Sequence, residues 1–274
     1  MNDTLRPDEL IIGDDNYKDF CAPIGESTIL LPDGSHRAFG FAGRQHPFGY
    51  AFGKIETRVP LIPRSEWKQR ILEGEGGWLS SIVARYGMKS KDQDGLGYCW
   101  VYGPTRALEI IRVIEGSPFE ELSPESVGGP VRNWRNEGGY AEEAFTQLEE
   151  FGACHVDYMD APNSLSPKRW KVGWEANRED HRIEHKWYDI NSSFDEVMSC
   201  LLAHIPVAAG LNWWGHLICY LDPVIMPNGG FGVRFQNSWG VDWPSKGANG
   251  LATLTEAKAT PDGAGAPLVA TASN

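Results

Sequence analysis

The sequence predicts an α+β protein with two lobes, in which a helical half is followed by a β-rich half. A helix-like run starts at Cys99 and continues to about residue 115. The apolar residues of this run have the spacing of a helix buried over much of its surface, at 107, 108, 110, 111 and 114. Apolar runs of strand length follow in the second half of the chain, at 206–211, 216–221 and 232–235.

Residues 1–56 are predicted to form an extended N-terminal arm. Aromatic residues alternate with small ones at 39–43 and again at 48–53. Such a segment either packs its aromatic side chains on the main domain, or binds a partner or lies over a functional cleft. Both interpretations place the arm outside the main domain.

The main domain is predicted to span residues 57–258, with a helical lobe at about 75–160 and a β-rich lobe at about 185–258. Beyond it the sequence is low in complexity, and residues 260–267 consist largely of glycine, alanine and proline. This composition predicts a flexible C-terminal tail over residues 259–274.

Composition limits the partners and the compartment. The formal net charge of −12 argues against nucleic acid and against anionic membrane surfaces as partners. The N-terminus lacks the features of a signal peptide, and no apolar run approaches the roughly 18 residues of a membrane span. The five cysteines are widely spaced without a CxxC pair, which predicts free thiols. We therefore expect a protein of the cytoplasm, or of a particle assembled there, with neither metal nor cofactor.

A thiol at the start of the predicted helix is the first candidate for chemistry. Cys99 follows a glycine-rich turn, and Gln93 stands six residues before it. Free N–H groups and the helix dipole favour an anion at such a terminus, which predicts a lowered pKa for the Cys99 thiol. The same N–H groups and the Gln93 amide are suited to stabilise an oxyanion. The turn therefore predicts a nucleophilic thiolate.

A nucleophilic thiol needs a base, and the base needs an orienting group. His216 begins an apolar strand, and its ring is predicted to face a cleft between the lobes. Downstream, Asn237 offers an amide that can hold the imidazole tautomer, and Trp239 offers an indole that can shield it from water. A lone histidine or a lone buried cysteine is more often structural, so the prediction depends on the combination.

The order of these residues resembles that of the papain-like cysteine peptidases, over about residues 57–256. The matching positions are Gln93, Cys99-Trp100, His216 and Asn237-Ser238-Trp239-Gly240. The resemblance implies a papain-like two-lobed fold whose central helix starts at Cys99, with the catalytic domain at 57–258. It also aligns residues 136–140 with a family segment whose glycine backbone, here Gly138 and Gly139, binds an extended substrate peptide.

The activity implied by this resemblance is that of a cysteine endopeptidase acting on peptide or protein substrates. Cys99, as a thiolate paired with imidazolium His216, attacks the peptide carbonyl, and Asn237 orients the imidazole. The Gln93 side chain and the Cys99 N–H hold the oxyanion, and water later releases the acyl-enzyme. Trp239 keeps the hydrogen bond between His216 and Asn237 dry.

The sequence departs from the family pattern at two kinds of position. Leu96 and Asn136 stand where secreted relatives place a disulfide, which fits a reducing compartment. The arm is shorter than the usual inhibitory propeptide and lacks its helical signature. Either no zymogen exists, or residues 1–56 restrain the site in a different way.

Two other functions are compatible with the sequence. The papain-like fold can serve as a structural or assembly component of a larger particle such as a virion, with or without residual activity. Its protein partners would then bind through residues 1–56 and 259–274. The second alternative is another thiol hydrolase, such as a cell-wall amidase or a transglutaminase-like enzyme, but those families usually lack the upstream glutamine and the Asn-Ser-Trp-Gly element.

Overall fold

The structure is a computed structural model, which describes residues 5, 8–22, 26–31, 34–42, 59–74, 78–184, 187–190 and 192–268. The aromatic run at 48–53 and the last part of the predicted tail, 269–274, lie outside the described residues.

Helices dominate the first half of the described chain and strands the second. The α-helices are α1 (Arg64–Leu72), α2 (Trp78–Arg85), α3 (Cys99–Ile114), α4 (Glu125–Val131), α5 (Ala141–Glu150), α6 (Trp174–Arg178), α7 (Phe194–Leu202) and α8 (Glu256–Ala259). The strands are β1 (Ile11–Ile12), β2 (Thr28–Leu30), β3 (His36–Ala38), β4 (Trp187–Ile190), β5 (Val207–Leu211), β6 (His216–Ile225), β7 (Phe231–Gln236), β8 (Leu251–Thr255) and β9 (Gly263–Pro267). Short 3-10 helices lie at Tyr17–Phe20, Val156–Tyr158 and Pro167–Arg169.

Within the described residues, seven strands form one sheet in the order β1-β8-β7-β6-β5-β9-β4. β1 runs parallel to β8, and every other neighbouring pair is antiparallel. β2 and β3 form a separate antiparallel hairpin.

The central helix α3 joins the two halves. Its residues from Cys99 to Val113 are all buried, because it contacts β5, β6 and β9 on one side and α5 on another. Helical residues buried all round need apolar or paired side chains, and the apolar spacing of this run supplies the former. The predicted α+β class, with a central helix that starts at Cys99, is confirmed.

The prediction of a flexible tail from residue 259 is wrong for the described part of that segment. Residues 263–267 form β9, an interior strand hydrogen-bonded to β5 on one side and β4 on the other. Small residues are required there, since a Cβ at Gly265 would lie 2.3 Å from the Phe145 ring. The composition typical of a linker therefore comes from close packing of this strand against α5.

The described part of the arm is not a detached extension either. β1 pairs with β8 at the edge of the sheet. The fully buried Arg234 donates hydrogen bonds at 2.8 Å to both carboxylate oxygens of Glu9, and it also pairs with buried Asp222 at 3.0 Å. A buried guanidinium needs such partners, so Glu9 and the adjoining strand β1 belong to the core of the β-rich half.

None of the helices in the described part of the chain is long and apolar enough to cross a membrane. All five cysteines lie within the described residues and are free thiols, as the sequence predicts.

Candidate active site

Cys99 is the first residue of α3, directly after a tight turn. Asp94 adopts a left-handed φ of 47°, and the N–H of Leu96 closes the turn on the carbonyl of Gln93 at 2.9 Å. The first N–H groups of a helix have no carbonyl partner within the helix, so the N–H of Cys99 is of the type that can bind an oxyanion.

Asn136 ties this turn to the neighbouring segment of the cleft wall. Its Oδ1 accepts the N–H of Gly97 at 2.7 Å, and its Nδ2 donates to the carbonyl of Gly95 at 3.0 Å. These two hydrogen bonds join the same stretches that the family resemblance would join by a disulfide at positions 96 and 136. The turn is therefore held without a covalent link.

His216 begins β6 and forms one strong side-chain hydrogen bond. Its Nε2 lies 2.7 Å from Oδ1 of Asn237, which also accepts the N–H of Ser238 at 2.8 Å. Because an amide oxygen only accepts, Nε2 must carry the proton and Nδ1 the free lone pair. His216 Nδ1 is buried without a hydrogen-bond partner within the described residues, so it does not bond Cys99 in this arrangement.

Aromatic rings enclose the imidazole. The ring centroid of His216 lies 4.9 Å from that of Trp239, 5.1 Å from that of Trp214 and 6.0 Å from that of Phe39. His216 and Asn237 are both buried. Trp239 therefore lies where a shield was predicted, while the roles of Trp214 and Phe39 were missed by sequence analysis.

Gln93 has both ends of its buried side chain hydrogen-bonded. Its Oε1 accepts the Ser238 hydroxyl at 2.6 Å. Its Nε2 donates to the carbonyl of Leu96 at 2.7 Å and to the carbonyl of Ala38 at 3.0 Å. Ser238 thus links Gln93 to Asn237, a role that its position inside the Asn-Ser-Trp-Gly element did not reveal. The amide predicted to hold an oxyanion already holds a carbonyl of the N-terminal arm.

Residues 38–42 of that arm, which we call the strap, fill the cleft over Cys99. The N–H of Gly40 donates to Cys99 Sγ at 3.3 Å. The N–H of Gly139 donates to the Gly40 carbonyl at 2.8 Å, and the N–H of Ala42 donates to the Gly139 carbonyl at 2.9 Å. A fourth hydrogen bond joins the Phe41 N–H to the Gly215 carbonyl at 3.2 Å. The predicted peptide-binding backbone at Gly139 is therefore occupied by the chain itself.

Glycines make this close approach possible. A Cβ at Gly40 would lie 1.8 Å from the carbonyl oxygen of Gly97, and a Cβ at Gly138 would lie 2.6 Å from the Gly40 oxygen. At Gly210, a Cβ would lie 2.2 Å from the ring of Phe41. The strap therefore fits between glycine-lined walls, with the Phe41 ring in the space beside Gly210.

Burial under the strap decides the protonation of the site. Desolvation raises the pKa of the Cys99 thiol to about 11, although several backbone hydrogen bonds oppose the shift. Desolvation also lowers the pKa of His216 to about 4, against the opposing hydrogen bond to Asn237. The predicted low thiol pKa is therefore wrong for this closed arrangement, in which thiol and imidazole are both neutral.

The structure thus gathers the predicted residues around one cleft. Gln93, Asn237 and His216 share a hydrogen-bond network through Ser238 and the Asn237 side chain. Cys99 and Gly139 are bridged by hydrogen bonds to Gly40 of the strap. Gly138 packs closely against Gly40 of the strap, and the Trp239 ring packs on that of His216. Among the described residues, no group of three or more His, Cys, Asp or Glu side chains is placed to hold a metal ion.

Solved structures with the same architecture are cysteine proteases. Xylellain, a cysteine protease from Xylella fastidiosa, superposes with a TM-score of 0.54 at 15% identity, covering 66% of this chain and 83% of that one. Digestive procathepsin L 3 from the Tenebrio molitor larval midgut gives a TM-score of 0.55 at 15% identity, covering 66% of this chain and 66% of that one. Bromelain from Ananas comosus, in complex with the E64 inhibitor, gives a TM-score of 0.53 at 16% identity, covering 66% of this chain and 93% of that one.

These similarities establish that the chain has the papain-like fold. No protein-family model and no curated protein matches the sequence itself.

Proposed function

We propose that this papain-like protein is a cysteine peptidase whose cleft is closed in the structure described here. The observation that carries the proposal is the state of His216. Asn237 fixes the proton on Nε2, which leaves a basic lone pair on Nδ1 in a buried site that also holds Cys99. A base with this tautomer is what a thiol at a helix N-terminus requires for nucleophilic catalysis.

With the strap displaced, Cys99, His216 and Gln93 catalyse acyl transfer in two stages, formation of a thioester and its hydrolysis. The Cys99 thiol gives its proton to Nδ1 of His216, and the thiolate adds to a peptide carbonyl carbon. The Cys99 N–H and Gln93 Nε2 then hold the oxyanion. The C–N bond breaks as His216 returns the proton to the leaving amine, which produces a thioester on Cys99. A water molecule, deprotonated by His216, hydrolyses the thioester and restores the thiol.

The strap indicates how a substrate would lie. Gly139 has one N–H and one carbonyl facing the cleft, and both pair with the extended backbone of the strap. A substrate peptide that replaces the strap gains the same two hydrogen bonds. The space beside Gly210 holds a phenyl ring, which favours peptides with a large apolar side chain there.

The proposal is tested in a variant whose cleft is open. Gly40→Val places side-chain atoms on the Gly97 carbonyl and forces the strap out. We expect this variant to hydrolyse fluorogenic peptides with an aromatic residue near the scissile bond, and to be labelled by E64, the inhibitor bound to bromelain. Cys99→Ala in the same background should lose both signals. An open variant that alkylates readily at Cys99 but cleaves no peptide would contradict the peptidase assignment.

A second function is favoured by the closed cleft itself. Its thiol is neutral and completely buried, which suits a papain-like domain that serves as a structural component of a larger assembly. Assembly partners would then bind elsewhere, through parts of residues 1–56 that do not fill the cleft. The same experiment separates the two functions, since an assembly component without activity would show an accessible thiol and no hydrolysis in Gly40→Val.

A further inference from the structure

Arg37, the residue before the strap, reaches across both sides of the candidate site. It lies in β3, and its guanidinium is buried although it carries a full charge. We propose that Arg37 is a latch: a positioning residue whose ionic contacts keep the strap closed over Cys99 and whose release opens the cleft. This inference concerns the regulation of the site proposed above and rests on that function.

The strap is held in a way that does not invite cleavage by Cys99. The sulfur faces an N–H donor, that of Gly40 at 3.3 Å, and a donor offers no electrophilic carbon to a thiolate. The strap also runs parallel to the wall segment, with Phe41 bridged to Gly139. The closed state can therefore persist without the site cutting its own strap, and opening has to come from release of contacts.

The contacts of Arg37 connect the turn around Gln93 with Trp239, the residue that covers His216. Its Nη2 lies 3.4 Å from Oδ2 of Asp92 and 3.3 Å from the carbonyl oxygen of Trp239, while Nη1 lies 3.5 Å from Oδ1 of Asp94. Asp92 and Asp94 stand on either side of Gln93 in the chain. Since Arg37 directly precedes Ala38, these contacts hold the carbonyl that occupies the Gln93 amide.

The latch is weak enough to open. All of these N···O distances are 3.3 Å or longer, beyond the usual 2.7–2.9 Å of strong charge-assisted hydrogen bonds. Arg37 Nε is buried without a hydrogen-bond partner among the described residues. The side chains of Asp92 and Asp94 are 47% and 73% exposed, so water and salt screen the attraction. A buried cation with incomplete hydrogen bonding and screened partners favours the closed state only modestly.

The start of the strap is tethered by the β2–β3 hairpin, so its release is local and reversible. The hairpin that precedes it is anchored by the buried side chains of Ile29 and Leu31, which belong to the main hydrophobic core. Displacing residues 38–42 then breaks the strap's own hydrogen bonds and the last pair of the hairpin, Thr28 with Ala38. It leaves the Ile29–Arg37 and Leu30–His36 pairs and the seven-stranded sheet in place. Removal of the Arg37 contacts should therefore shift the strap equilibrium without unfolding the domain.

Accessibility of Cys99 measures this equilibrium independently of catalysis. The rate of alkylation by iodoacetamide is followed by mass spectrometry of the peptide that contains Cys99, with half-buried Cys21 as internal reference. We expect Arg37→Ala to raise the rate at Cys99 roughly fivefold, towards that of Gly40→Val. The matched control is Arg85→Ala, which removes an exposed arginine from the last turn of α2 and should leave the rate unchanged.

The salt dependence of Cys99 alkylation tests whether Arg37 acts through its charge, since a purely structural role of Arg37 would not depend on salt. Raising the ionic strength to about 1 M, where the Debye length is about 3 Å, should accelerate labelling of the wild type and of Arg85→Ala but not of Arg37→Ala. The latch is overturned if Arg37→Ala stays as slow as the wild type while Gly40→Val is fast. It is also overturned if the wild type is already as fast as Gly40→Val. Fast alkylation of Arg37→Ala without peptide hydrolysis would instead support the latch and contradict the peptidase.

Discussion

A chain that ends at residue 258 is expected not to fold. Such a chain lacks β9, which lies between β5 and β4 in the sheet. Its loss leaves β5 with an unpaired edge, detaches β4, and exposes the surface covered by the buried Ala264 and Ala266. Domains are stable by only about 5–15 kcal/mol, so removal of an interior strand should exceed the available stability.

The measurement is circular dichroism together with chemical denaturation of purified chains. A chain that ends at residue 268 retains β9 and serves as the matched control, which should unfold cooperatively like the full-length protein. If the shorter chain also unfolds cooperatively at the same denaturant concentration, β9 does not contribute to the core as its burial implies.

A point substitution tests the same strand more gently. Gly265→Val places its Cβ 2.3 Å from the Phe145 ring, so either β9 or α5 must move. Overpacking of this kind typically costs about 1–3 kcal/mol, which lowers Tm by roughly 2–4 °C per kcal/mol in a domain of this size. Gly95→Val is the control, because a Cβ at exposed Gly95 meets open space and should leave Tm nearly unchanged.

Helix α3 and strand β9 show which elements of the fold can be predicted from local sequence and which cannot. Helix α3 was predictable because its apolar spacing and the turn before Cys99 are local signals. Strand β9 was not, since its small residues have the composition of a linker. What makes 263–267 a strand is the Phe145 ring, which is supplied by α5 more than a hundred residues earlier in the chain. Only the assembled fold distinguishes a close-packed strand from a flexible tail.

The candidate site likewise has features that the sequence predicts and features that depend on tertiary contacts. The order of Cys99, His216 and Asn237 along the chain was sufficient to expect the base and its orienting amide. Sequence analysis did not decide whether the strap packs on the main domain or covers a cleft. The reason is that its hydrogen bonds join residues that are distant in sequence, such as Gly40 and Gly139. The thiol pKa was predicted in the wrong direction for the same reason, since burial under the strap is a tertiary effect.

Substitutions of the base and its orienting amide should separate two kinds of loss in the open Gly40→Val background. His216→Ala removes the only group assigned to proton transfer, and we expect kcat/KM to fall by at least about 10⁴-fold. Asn237→Ala leaves an imidazole that is free to rotate, and a misplaced catalytic group costs on the order of 10²-fold. His155→Ala, which alters a histidine at a 3-10 helix remote in sequence from both residues, should retain the activity of the background.

The pH profile distinguishes an orienting Asn237 from one that only supports the fold. Its hydrogen bond raises the pKa of His216, against the lowering by burial. His216 acts as a base, so its protonation sets the acid limb of kcat/KM. Without the hydrogen bond the imidazolium loses its proton at lower pH, and this acid limb should move towards lower pH in Asn237→Ala. A structural role would reduce the amplitude at all pH values and leave the limb in place. An unmoved limb with a hundredfold lower rate would therefore remove Asn237 from its assigned role, while a shifted limb would support the hydrogen bond as part of the catalytic machinery.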